Sequence, residues 1–497
     1  MSDDPEIPEP DVSEEHPISE FWVWEGQRRP PSPRALAEHM NKDWAIPTIP
    51  DEVHPAASHS AARRRRVGEE FAGKTLVVPT GNPKVRANDT DFRFRADSDF
   101  YYLTGCEEPD AVLVISPGAD GPRSTLYIPP RRDASTHAFY SDDRYGELWV
   151  GVRRGVDEAA VYYAIDTAPL EELEKDLVAL GGADVVTLRG IDAEADGFSE
   201  PSELDDELAT ALSEMRLIKD DFEVARLQEA VDFTVKGFED VVRALREARA
   251  RGERVVEGVF NLRARVEGND VGYGTIAAAG PHATTLHWTV NDGAVREGDL
   301  LLLDAGVEGH CLYTADVTRT MPIGGTFSPA QRRVYELVFA AQTAGIAAVR
   351  PGVPFMAPHE AAMKVLAEGL YEMGILRESP EVSLRRDRQL HRRYTLHGTS
   401  HMLGLDVHDC AQARNEFYSQ GELKVGYVLT VEPGLYFQAN DLTVPEEYRG
   451  IGVRIEDDIL VTETGARNLS AALPRDPDDV EAWMASLWRE GPPRLGL

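Results

Sequence analysis

Acidic residues embedded in apolar, strand-like runs are the feature that most constrains this chain. A carboxylate in such a run faces a large desolvation cost unless it is paired or bound to a metal ion. Four carboxylates and one histidine in five such segments (LLLLDAG, YTADVTRT, HGTSHMLGLDVHD, LTVEPGLYF and GVRIEDDILV) all lie after residue 300: Asp304, Asp316, His401, Glu432 and Glu456. These oxygen-rich ligands suit Mn²⁺ or a similar hard divalent ion, and four negative charges balance two such ions. The pattern predicts a two-metal site.

The two aspartates fall at positions from which they could meet. Asp304 lies at the end of an apolar run. Taken alone, an aspartate at such a position is more simply explained as the first residue of a turn. Asp316 lies 12 residues further on (316 − 304) and alternates with Thr318 and Thr320 onto one face of a strand. Two strands joined by a short turn would therefore bring both aspartates to one pair of ions.

Three histidines crowd the glycine-containing segment HGTSHMLGLDVHD: His397, His401 and His408. A single buried histidine is usually a core residue with its hydrogen bonds satisfied, but three so close together are hard to explain by packing. In the last of the five segments, Arg454 and Glu456 share a strand face. We expect Arg454 to hold Glu456 from behind and so to orient it.

Whole-chain properties exclude several classes of function. The formal net charge of −34 over 497 residues argues against nucleic acids and anionic membranes as partners. Three cysteines are too few for a disulfide framework and are expected to pack as small apolar side chains. The chain starts with an acidic, proline-rich stretch and contains no apolar run of about 20 residues, so we expect a cytoplasmic protein. The arginine run 63–66 is expected to be one solvated helix face.

The chain divides into four parts by composition. Residues 1–60 are an acidic, proline-rich extension that should be partly disordered, with a short helix near ALAEHMNKDWA. Residues 61–214 show short β-rich runs and helices typical of a mixed α/β domain. Residues 215–470 open with a long helix capped by Asp220 or Asp221, and they then alternate strands and helices without a regular βαβ rhythm, which favours α+β. Residues 471–497 are expected to be a C-terminal tail.

The five metal-ligand segments, together with RADSDFYYLTGCEEPDAVLVI, resemble the proline-specific aminopeptidase P family over roughly residues 65–470. The resemblance implies an α+β, pita-bread catalytic domain preceded by a smaller mixed α/β, creatinase-like N-terminal domain. It also implies two metal ions per subunit, with Mn²⁺ expected. Asp316 and Glu456 would bridge both ions, Asp304 would bind one of them, and His401 and Glu432 would bind the other.

The resemblance also implies roles in catalysis. His287, in TTLHWTVND, matches a substrate-site segment of the family, and with His397 and His408 it would contact the substrate and polarise the scissile carbonyl. A hydroxide bridging the ions would attack the peptide bond before proline, while Glu432 passes the proton on and Arg454 supports the site. The substrates would be peptides with proline in second position, and the enzyme would be a homo-oligomer, either a dimer or a tetramer.

Several alternatives stay open on the sequence alone. An Xaa-Pro dipeptidase (prolidase) would use the same metal site, although Ser400 before the metal histidine is more typical of the aminopeptidases. Methionine aminopeptidases share the site but generally lack such a large first domain. A non-catalytic binding protein or a metal-free, creatinase-like enzyme on this scaffold would tend to lose metal ligands, and here all five are present.

Overall fold

The computed structural model describes residues 34–180 and 184–492, and the chain splits into two compact units, residues 1–205 and 206–497. Composition predicts this boundary at residue 214. The division falls instead inside a continuous helix, where composition gives no signal. The predicted disorder of the first residues lies outside the described part of the chain. The predicted short helix is present as Arg34–Met40.

The first unit is built on a five-stranded mixed sheet. Its helices are α1 (Arg34–Met40), α2 (Ala57–Glu70), α3 (Ser98–Thr104), α4 (Ala138–Ser141), α5 (Glu147–Val150), α6 (Val156–Tyr163), α7 (Leu173–Ala179) and α8 (Ala193–Asp196). Its strands are β1 (Thr75–Pro79), β2 (Val85–Ala87), β3 (Thr90–Asp91), β4 (Val112–Ser116), β5 (Arg123–Ile128), β6 (Asp166–Pro169) and β7 (Val185–Thr187). The sheet order is β6-β5-β4-β1-β7, with antiparallel pairs at its centre and a parallel pair at each edge. This confirms the mixed α/β expectation.

The arginine run on α2 is not one solvated face, so that prediction is wrong. Arg63 and Arg64 are buried, and their guanidinium groups donate to the carbonyls of Tyr102 and Leu103 at 3.2 and 2.7 Å. These carbonyls lie in the last turn of α3, where they have no partner within the helix. Cationic donors are favourable at that end of a helix. The two arginines are therefore structural groups that cap α3.

Helix α9 (Glu203–Arg216) straddles the division, and the second unit follows it. Its helices are α10 (Asp221–Arg251), α11 (Glu253–Glu267), α12 (Pro329–Ala348), α13 (Ala357–Glu372), α14 (Pro380–Ser383) and α15 (Pro477–Glu490). Its strands are β8 (Asp270–Val271), β9 (Ile276–Ala279), β10 (Leu300–Ala305), β11 (Val307–Glu308), β12 (Val317–Pro322), β13 (Val428–Val431), β14 (Gly434–Tyr436), β15 (Gly452–Arg454), β16 (Asp457–Thr462) and β17 (Gly465–Asn468).

Small antiparallel sheets and long helices share one large core in this unit. The strand orders are β12-β10-β9, β11-β8, β13-β16-β17 and β14-β15. Helix α10 begins with a capping box between Asp220 and Glu223, so Asp220 is the cap of the two candidates. Leu227, Val231 and Phe238 on α10 are fully buried, as the helical spacing predicts. The observed α+β arrangement matches the predicted class.

The segment expected as a C-terminal tail contributes to this core. In α15, Val480, Met484 and Leu487 are buried, and the indole N–H of Trp488 donates to the Val242 carbonyl at 2.7 Å. These contacts join the end of the chain to α10. Across the described residues, no helix is long and apolar enough to cross a membrane. The three cysteines are buried, and no disulfide joins any two of them.

Candidate active site

The two aspartates meet where β10 and β12 pair. Asp304 lies on β10 opposite Thr318 of β12, and Asp316 immediately precedes β12. The Tyr273 hydroxyl lies within hydrogen-bond distance of both carboxylates, 2.6 Å from Asp304 Oδ1 and 2.5 Å from Asp316 Oδ1. The strand pairing therefore brings the two acids to one place, as the sequence spacing predicts.

His401 and Glu432 reach the site from neighbouring stretches of chain. The Thr430 N–H donates to the His401 carbonyl at 3.0 Å, and the Glu432 N–H donates to the Thr399 carbonyl at 2.8 Å. This pairing aligns the histidine segment along β13. It places His401 Nε2 3.2 Å from Asp316 Oδ2 and 3.6 Å from Glu432 Oε1.

Glu456 completes the set from the connection between β15 and β16. Its Oε2 accepts from the Thr318 hydroxyl at 2.6 Å, and its N–H donates to the Thr318 carbonyl at 3.1 Å. Ligand atoms of Asp316, His401 and Glu456 lie within 4.8 Å of one another, a spacing that can hold a metal ion. Thr318 lies on the face of β12 that the alternation of Asp316, Thr318 and Thr320 predicts, and that face is turned towards the site.

A cavity of about 500 Å³ gathers the predicted residues. Its lining includes all five predicted ligands and the four other residues singled out from the sequence, namely Asp304, Asp316, His401, Glu432, Glu456, His287, His397, His408 and Arg454. Apolar side chains of Ile276, Leu286 and Val407 line the rest of the wall, beside Ser400. The Ser400 hydroxyl is buried and has no hydrogen-bond partner among the described residues.

Burial dominates the electrostatics of the carboxylates. Burial raises the pKa of Glu432 to about 7, despite the nearby charges of His401 and Arg454. Burial also raises the pKa of Asp304, against the effect of Arg454, and raises that of Glu456 well above its usual range, reinforced by Asp316. Acids that are this hard to ionise together need cations for full charge compensation. The donor set therefore fits a pair of hard divalent ions.

The histidines differ from one another in their surroundings. Burial lowers the pKa of His401, but the hydrogen bond to Asp316 and the charge of Glu432 outweigh it and raise the value to about 9. Burial and then the charge of Arg454 lower the pKa of His397 to about 3. His397 Nε2 lies 2.8 Å from the Tyr436 hydroxyl, and its ring is therefore a neutral hydrogen-bonding group.

Arg454 reaches Glu456 through Thr318: its Nε donates to the Thr318 hydroxyl at 3.2 Å, and that hydroxyl donates to Glu456. Its direct carboxylate partner is Asp304, which the sequence did not predict. The Arg454 Nη2 atom lies 2.5 Å from Asp304 Oδ2, and Nη1 donates to the Tyr436 hydroxyl at 2.9 Å. Strand β15 ends at Arg454, so the two-residue alternation of side chains does not extend to Glu456. Arg454 orients Asp304 and Tyr436 directly.

Sequence reasoning missed Tyr273 and Tyr436 as partners of the site. Tyr436 lies four residues after Glu432 in the segment VEPGLYF, so its position near the site could have been predicted from the sequence. Tyr273 follows the short strand β8 in the segment DVGYG, and nothing local marks it. Only the fold brings its hydroxyl between the two aspartates.

Comparisons with known proteins agree with this geometry. The model of metallopeptidase family M24 matches residues 225–463, and that of the aminopeptidase P N-terminal domain matches residues 60–187. The chain is 54% identical to Xaa-Pro aminopeptidase 1 of Streptomyces coelicolor over 493 residues, 98% of each protein. It is 34% identical to the Xaa-Pro aminopeptidase of Escherichia coli over 449 residues, 85% of this chain and 97% of that protein.

Solved structures that are similar to this chain are also aminopeptidases P. Aminopeptidase P from E. coli with the inhibitor Pro-Leu has a TM-score of 0.75 at 31% identity, covering 87% of this chain and 99% of that one. Zn-substituted E. coli aminopeptidase P in complex with product also has a TM-score of 0.75 at 31% identity, covering 86% and 98%. These matches confirm the predicted fold and family, and they do not favour the dipeptidase alternative. The chain belongs to the Xaa-Pro aminopeptidases (aminopeptidase P) of metallopeptidase family M24.

Proposed function

We propose that this enzyme removes the first residue from peptides whose second residue is proline, and that it uses two divalent ions, with Mn²⁺ expected. The observation that carries the proposal is the convergence of five predicted metal ligands in one cavity, alongside three histidines and an arginine. A binding protein without activity would have no need of so many buried carboxylates in one place. Their burial is costly unless cations are bound.

The contacts of Asp316 support a bridging role between two ions. Its Oδ1 shares the Tyr273 hydroxyl with Asp304, and its Oδ2 lies 3.2 Å from His401 Nε2. Asp316 therefore connects the side of the site that holds Asp304 to the side that holds His401. Asp304 would bind one ion, His401 and Glu432 would bind the other, and Glu456 would join Asp316 as the second bridge. Bound ions would supply Lewis acidity that polarises the peptide carbonyl and activates water.

Glu432 is placed to move a proton during the reaction. Its carboxylate lies between His397 Nδ1 at 3.5 Å and His401 Nε2 at 3.6 Å. A carboxylate placed beside the attacking water can accept its proton and pass it on. We propose that Glu432 takes a proton from the attacking water and delivers it to the departing proline nitrogen.

The remaining residues would bind and orient the peptide. His397 is held by the Tyr436 hydroxyl, while His287 and His408 are exposed at the cavity and can reach substrate oxygens. The bond before proline is a tertiary amide whose nitrogen carries no hydrogen and whose ring fixes the backbone. The apolar side chains that line the cavity wall can accept such a ring. The enzyme would therefore recognise the proline ring by its shape and the peptide by contacts with its carbonyl oxygens, because the amide hydrogen is absent.

Hydrolysis of a tripeptide such as Arg-Pro-Pro, compared with an Xaa-Pro dipeptide, tests the proposal. We expect cleavage of the tripeptide, little cleavage of the dipeptide, loss of activity with a chelator and recovery with Mn²⁺. Metal analysis should find two ions per chain. Preferential cleavage of the dipeptide would indicate a prolidase, and a chain without bound metal or activity would indicate a binding protein.

Compartment and assembly are further parts of the proposal. Three buried cysteines that form no disulfide fit a reducing, cytoplasmic environment. The net charge of −34 opposes nucleic acids and anionic membranes as partners. We expect a homo-oligomer, a dimer or a tetramer, which light scattering coupled to gel filtration would measure directly.

A further inference from the structure

Glu253 is a fully buried carboxylate that accepts hydrogen bonds from four donors. Its Oε1 accepts from the Ala279 N–H at 2.8 Å and from His282 Nδ1 at 2.9 Å. Its Oε2 accepts from the Gly293 N–H at 2.7 Å and from the Trp288 indole N–H at 2.9 Å. An ionised carboxylate is tolerated in a core when several donors satisfy it. All four donors lie at the end of β9 or in the segment that follows it.

Close backbone approach fixes this segment against the start of α11. The Glu253 N–H donates to the Gly293 carbonyl at 3.0 Å, so the two residues are joined in both directions. A Cβ atom on Gly293 would lie 2.4 Å from the His282 ring and 2.7 Å from Glu253 Oε1. Only glycine fits there, which shows how tightly the segment is packed onto the carboxylate.

His287 belongs to the same segment and faces the cavity. Its side chain is exposed, so its position depends on the backbone that carries it. The next residue, Trp288, stacks on His282 with ring centroids 3.9 Å apart and donates to Glu253. The Trp288 anchor therefore locates the backbone at His287.

We propose that Glu253 is a positioning residue for the peptidase reaction: by holding Trp288 and Gly293, it sets where His287 meets the substrate. The inference rests on the proposed function, in which His287 contacts the peptide. A shift of the segment would also reach Arg454, because the Leu286 carbonyl accepts from Arg454 Nη2 at 3.4 Å.

The variant Glu253→Gln changes this anchor with almost no change of shape. A carboxylate offers two acceptor oxygens, whereas a glutamine amide offers one acceptor and one NH₂ donor group. Each carboxylate oxygen now receives two donors. Turned one way, its NH₂ group faces the N–H groups of Gly293 and Trp288. Turned the other way, it faces the Ala279 N–H and the His282 ring, whose Nδ1 can accept in one tautomer. In either orientation the NH₂ group meets at least one N–H group, and the segment has to move.

A double-mutant cycle with His287→Ala tests the proposal through kcat/KM for an Xaa-Pro-Xaa peptide. We expect Glu253→Gln to lower kcat/KM about tenfold in the wild-type background, since small misplacements of catalytic groups have effects of that order or more. In the His287→Ala background, the same change should lower it less than about twofold, because coupled residues are not additive. Equal losses in both backgrounds, or no loss in the wild type, would overturn the proposal.

Two further variants keep the test decisive. Glu257→Gln, one turn along α11, is the matched control and should stay within about twofold of wild type, as distant surface changes do. If Glu253→Gln is insoluble, Trp288→Phe removes one donor but keeps an aromatic ring for the stack, and the same cycle with His287→Ala then decides. A wild-type chain that fails to cleave Xaa-Pro-Xaa peptides would refute the proposed function itself. An active wild type with additive losses would refute only the role of Glu253.

Discussion

Arg454 and Asp304 form a buried ion pair in the wall of the candidate active site, with 2.5 Å between Nη2 and Oδ2, although they are 150 residues apart in the chain. Desolvation raises the pKa of the Asp304 carboxyl, and the guanidinium charge opposes that rise. The pair therefore helps to keep the Asp304 carboxylate, a proposed metal ligand, ionised. It also fixes Asp304 from the side away from Tyr273.

Removing Arg454 should have a larger effect on stability without metal than with it. Breaking a buried pair by truncating one partner typically costs about 3–5 kcal/mol in the free energy of unfolding. In Arg454→Ala, metal-free protein should lose about that much, whereas added Mn²⁺ would compensate Asp304 and shrink the difference. Chemical denaturation with and without metal measures both values.

Arg393→Ala is the control, because its pair with Asp441 is exposed on the arginine side and should be worth less than about 1 kcal/mol. A loss that is unchanged by metal would contradict this account.

Activity should depend more on Asp316 than on the histidines that face the substrate. Metal binding can lower the pKa of water by about 8 units, or about 11 kcal/mol, whereas acid–base assistance contributes about 3–5 kcal/mol. We therefore expect Asp316→Ala to abolish peptide hydrolysis at saturating Mn²⁺. His397→Ala and His408→Ala should leave a measurable remnant of kcat. Equal residual rates in the three variants would show that this order is wrong.

The histidine segment should depend on a second buried charge cluster. Asp409 accepts from Arg216 Nε at 3.1 Å and Lys219 Nζ at 3.3 Å, and its N–H donates to the Met402 carbonyl at 3.0 Å. The nearby positive charges outweigh burial and lower the pKa of the Asp409 carboxyl. Asp409→Ala would leave two cations buried, so we expect about 3–5 kcal/mol less stability.

Activity should also fall in Asp409→Ala, because Met402 is adjacent to His401. Thermal unfolding and peptide hydrolysis measure the two effects. The matched control, Glu214→Ala, removes the partner of the exposed Arg414 and should change stability by less than about 1 kcal/mol. Similar losses in both variants would argue against a special role for the buried cluster.

His54 should make the folded state sensitive to mild acid. Burial and then the charge of Arg154 lower its pKa from 6.5 to about 4, while its Nδ1 accepts from the Ala56 N–H at 3.2 Å. The unfolded chain therefore binds the proton first as the pH falls. The stabilisation is fully present above pH 6.5 and is lost between 6.5 and about 4, with an upper limit of about 3 kcal/mol at ~1.36 kcal/mol per unit.

The variant His54→Asn, whose Oδ1 can accept the same N–H, should show a weaker fall in stability over this range. Unfolding measured at pH 7.5 and pH 4.5 in both proteins isolates the contribution of His54 from that of other acids. Parallel curves for the two proteins would rule the histidine out as a cause.

The residues of the candidate metal site were predictable because the signal at each is local. Asp304, Glu432 and Glu456 each stand in an apolar run, and the cost of burying a carboxylate makes such a residue conspicuous in the sequence itself. The crowding of three histidines pointed to His401 and its neighbours, and the family resemblance then added His287. The cavity contains every one of these residues.

Contacts between distant stretches were not predictable in the same way. The direct carboxylate partner of Arg454 is Asp304, and Arg454 reaches Glu456 only through Thr318, because a strand ends between the two residues that the sequence alternation had joined. Arg63 and Arg64 are buried because the end of α3 lies beside them, which their own segment does not reveal. Likewise, α15 returns to α10 across 246 residues, through the contact of Trp488 with Val242.

The sequence alone indicated which side chains need charge compensation, because desolvation depends on residue type and immediate neighbours. It also indicated the long helix that begins near residue 220, with Asp220 and Asp221 both as candidate caps. Tertiary structure alone decided how these groups are held: by Tyr273 between two aspartates, Arg454 behind Asp304 and Glu253 beneath Trp288. Hydrogen bonds act over about 3 Å, and only the folded chain brings together groups that are tens to hundreds of residues apart in sequence.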